Sequence, residues 1–391
     1  MTKKASTPAL RFKGFTYTWE QRRLGEIATE MVAGGDIDKD LILDEGCYPV
    51  IANALTNDGI VGYYNSDYRI IVPAVTVTGR GDIGHAKARI INFTPVVRLL
   101  SIKSNHDVFF LENAINTLKI VIESTGVPQL TVPQLAKYEI SFPKSLDEEE
   151  RIGTYFRNLD HLITLHQRKY DKLTNMKKSM LEKMFPKNGA NVPEIRFKGF
   201  TDAWEQRKLK ELATFAKGTG YSKSDLTEQG TPIILYGRLY TKYETKINDV
   251  DTFAIAKKSS VYSTGNEVIV PASGETAEDI ARASYVAKSG FLLGGDLNII
   301  YPIDRIEPTF LALSISNGEQ QKSLAQKAQG KSVVHIHNSD LESIKISYPK
   351  MEEQEKIGRY FLNLDRLITL HQRELEKLQN IKKSMLEKMF V

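Results

Sequence analysis

The chain has 391 residues, of which 41% are hydrophobic and 26% charged, with a net charge of +5 and one cysteine, Cys47. This length favours two domains, and a single cysteine excludes an internal disulfide framework. No apolar run reaches the roughly 18 residues that cross a bilayer, and the N-terminus has no apolar signal region, so we expect a cytoplasmic protein.

Basic residues are concentrated in parts of the sequence that occur twice. The net-basic stretches are residues 1–29, 148–185, 186–214 and 353–390. The two stretches between them, 30–147 and 215–352, are net acidic and are called the intervening regions. Net charge is therefore weak evidence for a nucleic-acid partner, and any phosphate-binding face of the intervening regions has to come from local arrangement.

Two segments of the sequence are repeated. LRFKGFTYTWEQRRLGEIAT (10–29) recurs as IRFKGFTDAWEQRKLKELAT (195–214). Residues 148–185 recur as 353–390, with 28 of 38 positions identical. The intervening regions do not align in any obvious way, so the sequence predicts two units with shared ends and different middles.

The first intervening region alternates short β-like runs with turns, and a helix is predicted over 107–123. The second has the same texture, with a helix predicted over 308–329. Both therefore indicate an α/β domain with a mixed, twisted sheet.

The repeated 38-residue segments are predicted to be long helices. They contain no proline and are rich in Leu, Met, Lys, Glu and Gln, which favour helices. A heptad stripe runs through both and indicates a coiled-coil pair, which we expect to be antiparallel. The predicted helix seam consists of Ile152, Leu159, His166, Leu173, Met180, Ile357, Leu364, His371, Leu378 and Met385.

Two polar features of these helices have alternative interpretations. His166 and His371 occupy the only polar positions of the stripe, where they set the register as a polar pair or form a metal site or pH switch. The pairs Lys177–Lys178 and Lys382–Lys383 either contact phosphates or form a solvated face.

Three motifs resemble cofactor or metal sites. Gly79–Gly84 satisfies GxGxxG, but no helix follows, so we expect a tight loop that presents Arg80. AQKAQGKS (325–332) lacks the first glycine of a phosphate-binding loop and has no preceding strand. His335 and His337 on one strand face are a candidate metal pair without an obvious third ligand. We therefore expect no metal and no bound cofactor.

The order of the repeated segments resembles the DNA specificity subunit of type I restriction–modification systems. In each half, FKGF and WEQR precede an intervening region, which is followed by IG-x-YF-x-NLD-x-LI-x-LHQR. The resemblance covers the whole chain. One difference between the copies is Glu149, where the second copy has Gln354.

The resemblance implies two globular target-recognition domains joined by two long antiparallel coiled-coil helices with pseudo-two-fold symmetry. Each domain is expected to read one half of a bipartite double-stranded DNA target, while the helices set the unread gap. The helices are also expected to dock two methyltransferase (modification) subunits, which use S-adenosylmethionine. Restriction subunits with ATP- and Mg²⁺-dependent translocase and nuclease activities join that assembly. The specificity subunit itself is expected to be non-catalytic, without a membrane partner.

On this basis we predict four parts of the chain. They are a first target-recognition domain over 1–147, a central helix over 148–185, a second target-recognition domain over 186–352 and a C-terminal helix over 353–391.

Polar, long or planar side chains in the turn-rich loops are the candidates for base contacts, although any of them could be an ordinary solvated loop residue. In the first domain they are Asn53, Asn57, Thr76, Thr78, Arg80, His85, Lys87 and Arg89. In the second they are Tyr236, Arg238, Tyr240, Ser273, Glu275, Thr276, Arg282, Lys331, Ser332 and His335. Arg80 and Arg238 are the strongest candidates, because a guanidinium can bind guanine through two hydrogen bonds.

Two other classes of function compete with this interpretation. One is a coiled-coil scaffold that displays two protein-binding domains. The other is a self-contained enzyme, which no Ser–His–Asp or paired-carboxylate pattern in the sequence supports.

Overall fold

The computed structural model describes residues 7–120, 126–187, 189–330 and 333–390. The chain divides into two compact units. The first unit comprises Met1–Arg168 and Gln372–Val391, and the second comprises Lys169–His371. In the described ranges, no helix is long and apolar enough to cross a membrane.

The elements from the N-terminus to the first long helix follow one another in chain order. They are β1 Glu20–Arg23, α1 Leu24–Ile27, β2 Ala28–Ala33, β3 Tyr48–Ile51, a 3-10 turn Thr56–Gly59, β4 Ile60–Tyr64, β5 Ala74–Val77, β6 Ala86–Arg89, β7 Thr94–Pro95, β8 Leu100–Ser104, α2 Val108–Asn116, α3 Val132–Leu135, β9 Glu139–Phe142 and α4 Leu146–Lys183.

The elements after the first long helix continue to the C-terminus. They are β10 Glu205–Lys208, a 3-10 helix Leu209–Glu211, β11 Ala213–Lys217, a 3-10 helix Lys223–Asp225, β12 Leu226–Thr227, β13 Thr231–Ile234, α5 Arg238–Thr241, β14 Lys246–Ile247, β15 Phe253–Ala254, β16 Tyr262–Thr264, β17 Glu267–Pro271, β18 Ser273–Gly274, α6 Ala277–Ile280, β19 Ser284–Val286, β20 Ser289–Leu293, β21 Leu297–Pro302, α7 Pro308–Ile315, α8 Gly318–Lys327, β22 Val334–His335, α9 Asn338–Ser343, β23 Lys345–Tyr348 and α10 Met351–Met389.

The two units share a sheet topology. One sheet has the order β2-β8-β5-β6 in the first unit and β11-β21-β17-β19-β14 in the second. A second sheet contains the parallel pair β3–β7 in the first unit and β13–β20 in the second, each beside antiparallel neighbours. The predicted α/β fold with mixed sheets is therefore confirmed, and the two intervening regions have related topologies although their sequences do not align.

An aromatic cluster joins each sheet to the long helices. In the first unit Trp19 packs against Phe110, and Phe390 at the end of α10 lies within 5.8 Å, centroid to centroid, of Phe156 on α4. The matching rings of the second unit are Trp204, Phe310, Phe185 and Phe361. Because residues near the end of one long helix pack on the beginning of the other, the helices are antiparallel within each unit.

A buried arginine–glutamate pair fixes each repeated N-terminal segment to the start of a long helix. Arg11 donates to both carboxylate oxygens of Glu148 over 2.8 and 2.7 Å, and Arg196 donates to both of Glu353 over 2.6 and 2.7 Å. Both glutamate side chains are at most 2% exposed. Bidentate geometry of this kind compensates for the cost of burying the charges.

The difference between Glu149 and Gln354 matches a difference in their partners. Glu149 lies 2.9 Å from Nδ1 of His106. Gln354 accepts from the backbone of Glu307 over 3.0 Å and donates to the carbonyl oxygen of Arg305 over 2.9 Å. Each buried side chain therefore has the hydrogen-bonding capacity that its own unit requires.

Two equivalent ion pairs join the long helices. Nζ of Lys382 lies 2.6 Å from Oδ1 of Asp160 in the first unit, and Lys177 pairs with Asp365 in the second. All four side chains are between 21% and 33% exposed. Neither interpretation of the lysine pairs describes the first lysine of each, which is an interhelical partner.

Each long helix begins two residues earlier than predicted, at Leu146 and Met351. The two shorter helices differ more from their predicted ranges. The predicted helix over 107–123 is observed as α2, which ends at Asn116, and residues 121–125 lie outside the described residues. The predicted helix over 308–329 is broken into α7 and α8, because Asn317 is extended, with φ of −142° and ψ of 159°, and Gly318 after it is left-handed, with φ of 64°. A helix cannot continue through such a residue.

The one early glycine of each long helix lies against the N-cap of a buried helix. A Cβ on Gly153 would lie 2.0 Å from Oδ1 of Asp107, which accepts from the backbone of Phe110 over 2.7 Å. A Cβ on Gly358 would lie 3.1 Å from Oε2 of Glu307. The longer glutamate side chain can adjust, whereas the aspartate cap cannot.

We therefore expect Gly153→Ala to lower the free energy of unfolding by about 2 kcal/mol, from overpacking and a weakened cap. Gly358→Ala is the matched control and should be near neutral, because alanine also gains about 1 kcal/mol of helix propensity over glycine. Denaturant unfolding of both variants measures this. Equal effects of the two substitutions would contradict the assignment.

Candidate nucleic-acid interface

Four residues are brought together where the strands of the first unit end, and we call Asn53, Arg80, Arg98 and Gln129 the first polar edge. Arg80 and Gln129 face each other across an antiparallel bridge. Nη1 of Arg98 donates to Oε1 of Gln129 over 2.9 Å. Oδ1 of Asn53 accepts from the backbone of Gly79, next to Arg80, over 2.8 Å. Arg80 is exposed and the other three are half-buried.

Four side chains occupy the corresponding place in the second unit, and we call Tyr236, Ser273, Asp296 and His335 the second polar edge. Oγ of Ser273 and Nδ1 of His335 are 3.1 Å apart. Tyr236 packs edge-on against Tyr240, whose hydroxyl donates to the carbonyl oxygen of Ser273 over 2.6 Å. The carbonyl oxygen of Asp296 accepts from the amide just before Ser273 over 2.7 Å.

The backbone shows that the two edges are equivalent. Leu130 donates to the carbonyl oxygen of Gly79 over 2.9 Å, and Ile336 donates to that of Ala272 over 3.1 Å. In the first unit the edge residues adjacent to this bond are Arg80, after Gly79, and Gln129, before Leu130. In the second unit they are Ser273, after Ala272, and His335, before Ile336. The equivalent pairs are Asn53 and Tyr236, Arg80 and Ser273, Arg98 and Asp296, and Gln129 and His335. The third pair also shares a positive φ, 69° and 57° respectively.

The two edges therefore differ in chemistry while sharing a backbone arrangement. The first carries two guanidinium groups and two amides. The second carries a phenol, a hydroxyl, a carboxylate and an imidazole. Donors and acceptors in loops at the end of rigid strands are suited to reading the edges of bases.

Three predicted residues of the first unit stabilise the β5–β6 hairpin instead of projecting from it. Thr76 is fully buried, and its Oγ1 accepts from Nε of Arg89 over 3.0 Å. Oγ1 of Thr78 donates to the carbonyl oxygen of Asp82 over 2.7 Å and accepts from the amide of His85 over 3.0 Å. Burial lowers the pKa of Arg89. Thr76, Thr78 and Arg89 therefore support the loop that carries Arg80.

Three other predicted residues of the first unit are exposed. Asn57 has φ of 50° and donates to a carbonyl oxygen three residues further on over 3.1 Å. Nε2 of His85 lies 3.0 Å from Oδ1 of Asp82, and Nζ of Lys87 lies 3.8 Å from Oδ1 of Asp58. Exposed ion pairs of this kind are weak, so these side chains remain accessible to a ligand.

Arg238 differs from its prediction. Its Nη1 donates to Asp251 over 2.7 Å and its Nη2 donates to Glu244 over 2.8 Å, and the side chain is 9% exposed. Hydrogen bonds from Lys242 and then from Arg238 lower the pKa of Asp251 to about 2. The expectation that Arg238 presents a free guanidinium is therefore wrong, because two carboxylates of the same loop bind it.

Tyr240 on α5, and Thr276 and Arg282 on either side of α6, lie near the second polar edge. Burial raises the pKa of the Tyr240 hydroxyl, which is engaged with the backbone of Ser273. Oγ1 of Thr276 accepts from the amide of Asp279 over 3.0 Å and so caps α6, while Arg282 donates to Asp279 over 2.6 Å. These three residues shape the loop.

The remaining predicted residues of the second unit are Glu275, Lys331 and Ser332. Glu275 is exposed. Lys331 and Ser332 lie outside the described residues.

Sequence reasoning missed Arg98, Gln129 and Asp296. Each reaches its edge through contacts with residues more than 20 positions away, so no local pattern indicates it. The left-handed backbone of Arg98 and Asp296, which a non-glycine residue rarely adopts, is visible only in the structure.

The structure places the predicted seam residues along the two long helices. Fully buried are Ile152, Leu159, Ile357 and Leu364. Half-buried are His166, Leu173, Met180, His371, Leu378 and Met385.

The predicted His335–His337 pair does not share a strand face. β22 ends at His335, whereas His337 precedes α9 and its amide donates to Asp340 over 2.9 Å. The part of the chain that the structure describes contains no group of three or more His, Cys, Asp or Glu residues arranged to hold a metal.

Comparison with known proteins gives consistent matches. Residues 17–175 and 201–380 match the family described as the type I restriction modification DNA specificity domain. The type I restriction enzyme MjaVIII specificity subunit of Methanocaldococcus jannaschii is 23% identical over 394 residues, which cover 94% of this chain and 91% of that protein. A putative type I specificity subunit of Mycoplasma pneumoniae is 29% identical over 147 residues, 36% of this chain and 43% of that protein.

A solved structure shows the same fold. The S subunit of a type I restriction–modification system from M. genitalium aligns with a TM-score of 0.64 and 17% identity, covering 98% of this chain and 99% of that one. Since the family match extends over most of the sequence, the chain belongs to the type I restriction–modification DNA specificity family. Its function is the recognition of a DNA target, and subunits of this class are non-catalytic.

Substitution of Arg80 and of Arg238, the strongest candidates from the sequence, should have opposite effects on stability and on base discrimination. Arg80→Ala should change the free energy of unfolding by less than about 0.5 kcal/mol, since surface changes are usually small, and should reduce discrimination at one base pair by about 1–3 kcal/mol. Arg238→Ala should lower stability by about 1–2 kcal/mol, because it removes the hydrogen bonds that the buried guanidinium donates to Glu244 and Asp251. Thermal unfolding and competition binding with mismatched duplexes measure both. A stable Arg238→Ala protein with altered discrimination would contradict this division.

Proposed function

We propose that each polar edge reads one half of a bipartite, asymmetric double-stranded DNA sequence. The observation that carries the proposal is that one backbone arrangement occurs twice with two different sets of side chains. A repeated scaffold with identical edges would read a symmetric sequence. Two different edges favour two different half-sites.

The chemistry of the edges fits the major groove. There each base pair presents its own pattern of donors and acceptors, and arginine, amide and carboxylate side chains pair with those patterns. Most protein–DNA affinity comes from phosphate contacts, which position the protein without reading sequence. The acidic intervening regions agree with a division in which these regions supply few base contacts and partner subunits share the phosphate contacts.

We infer that the paired helices set the number of unread base pairs between the two halves. Helix α4 has 38 residues and is about 57 Å long at about 1.5 Å per residue. Asp160–Lys382 in the first unit and Lys177–Asp365 in the second each hold the helix segments of their own unit in one alignment. A constant alignment supports a constant gap.

The same helices carry a repeated apolar surface that fits two copies of one partner. Leu162 and Leu165 on α4 are 41% and 39% exposed, and Leu367 and Leu370 at the equivalent positions of α10 are 37% and 47% exposed. Leu162 and Leu367 follow the seam spacing, yet they face outward. Exposed leucines that recur with the repeat mark an interaction site. We infer that they contribute to docking two methyltransferase subunits.

The complete assembly then divides the chemistry among its subunits. We infer that the methyltransferase subunits use S-adenosylmethionine and that restriction subunits use ATP and Mg²⁺. This chain supplies the choice of DNA sequence and holds neither cofactor. We place the assembly in the cytoplasm, where DNA and these cofactors are present.

A scaffold that displays two protein-binding domains is the competing function. A mobility shift of the complex with its methyltransferase partner, on random and on target duplexes, separates the two. Binding without any sequence preference would overturn the proposal.

Replacement of the intervening regions tests the proposal directly. Exchanging 30–147 for the corresponding region of another family member should change one half of the methylated sequence and leave the other half and the gap unchanged. Exchanging 215–352 is the matched control and should change the opposite half. Sequencing of methylated DNA reads out both. If either exchange alters both halves, the edges do not read independently.

A further inference from the structure

The groups that the first polar edge leaves available are all hydrogen-bond donors. Arg80 and Arg98 have only N–H groups, since a guanidinium has no acceptor. Asn53 is used internally, because its Oδ1 accepts from Gly79 over 2.8 Å and its Nδ2 donates to a backbone carbonyl over 3.0 Å. Whether the edge also offers an acceptor therefore depends on the remaining member, Gln129.

The orientation of the Gln129 amide is fixed by its partner. Nη1 of Arg98, 2.9 Å away, is a donor, so the atom of Gln129 that faces it is the acceptor Oε1. Its Nε2 makes no hydrogen bond with any residue that the structure describes. With Oε1 already accepting from Arg98, Nε2 is the group of this amide that has no partner among the described residues, so Gln129 presents chiefly a donor.

The backbone holds these donors in place. A Cβ on Gly79 would lie 2.2 Å from the carbonyl oxygen of Arg98, so this approach of the two loops is open only to glycine. The bridge between Arg80 and Gln129 aligns the third loop with them. Residues paired across such a bridge project from the same face.

Among the bases, guanine matches a set of donors best. In the major groove it presents two acceptors, N7 and O6, whereas thymine presents one acceptor beside a methyl group, cytosine presents a donor, and adenine presents one donor beside one acceptor. A donor placed against a donor leaves both without a partner in the interface, which is costly.

We propose that Gln129 and Arg98 are specificity-determining residues and that, with Arg80, they read guanine in the half-site of the first unit. This inference rests on the proposed function and names the base class that one edge recognises. The second polar edge differs, since Asp296, at the position equivalent to Arg98, offers exposed carboxylate oxygens that accept from cytosine or adenine.

The test uses the complex with its methyltransferase partner and a library of duplexes with randomised sequence. Gln129→Glu keeps the shape of the side chain and its contact with Arg98 but replaces the free donor by an acceptor. Arg98→Ala removes the partner. We expect each to reduce the preference for guanine at one or two positions of a single half-site by roughly 5- to 150-fold, the range of a lost bidentate contact. Asp296→Asn is the matched control and should affect only the other half-site.

A modified base tests whether N7 of guanine is the acceptor that these residues bind. 7-Deazaguanine, which lacks the N7 acceptor, should weaken binding of the unchanged protein at those positions and have little further effect on Gln129→Glu. Thermal unfolding confirms that the variants are folded, and Gln129→Met provides a second variant without the donor.

Two outcomes distinguish this inference from the proposed function. If the unchanged complex selects a bipartite sequence but the variants leave every guanine preference unaltered, or alter a position that is not guanine, the inference is wrong and the proposed function stands. If the unchanged complex selects no sequence, both fail.

Discussion

The antiparallel pairing of the two long helices is the constraint on which the rest of the structure depends. In the first unit Lys382 pairs with Asp160, and in the second unit Lys177 pairs with Asp365. The two ion pairs are partly exposed, so each contributes at most about 1 kcal/mol. The role of each pair is to select, within its own unit, one alignment of the helices among those that apolar packing would allow.

Burial of apolar side chains supplies the free energy that stabilises this alignment. Ile152, Phe156 and Leu159 are buried in the first unit, and burial of such side chains stabilises by about 1.5–3 kcal/mol each. The bidentate pair of Arg11 with Glu148 then orients the repeated N-terminal segment on the helix. With these contacts repeated in the second unit, the intervening regions are free to differ in sequence, provided that they keep the strand order. The strand order fixes where the loops of the polar edges lie, but it does not fix which side chains they carry.

The repeated segments were readable from sequence because their structure is local. Heptad spacing and the absence of proline indicated α4 and α10 to within two residues at their starts. The interhelical role of Lys177 and Lys382 was not predicted, because charge partners on a second helix leave no periodic signal in the first. The break between α7 and α8 was missed, although Asn317–Gly318 marks it.

The polar edges were only partly readable because they depend on contacts distant in sequence. Arg80 follows a strand and a glycine, which is a local signal. Gln129 and Arg98 reach the same edge through pairing between loops, which no single-sequence pattern reveals. Arg238 was misassigned for the opposite reason, since the nearby acidic residues Glu244 and Asp251 were present in the sequence but their approach was not foreseen.

The central claim is that two different polar edges, one in each unit, read two separate half-sites. Mapping methylated bases across the genome of a host that carries this chain and its partners tests it most directly. The account predicts one bipartite sequence with two unlike specified halves and an unread gap of one constant length. A continuous sequence, two identical halves or a gap of variable length would contradict it.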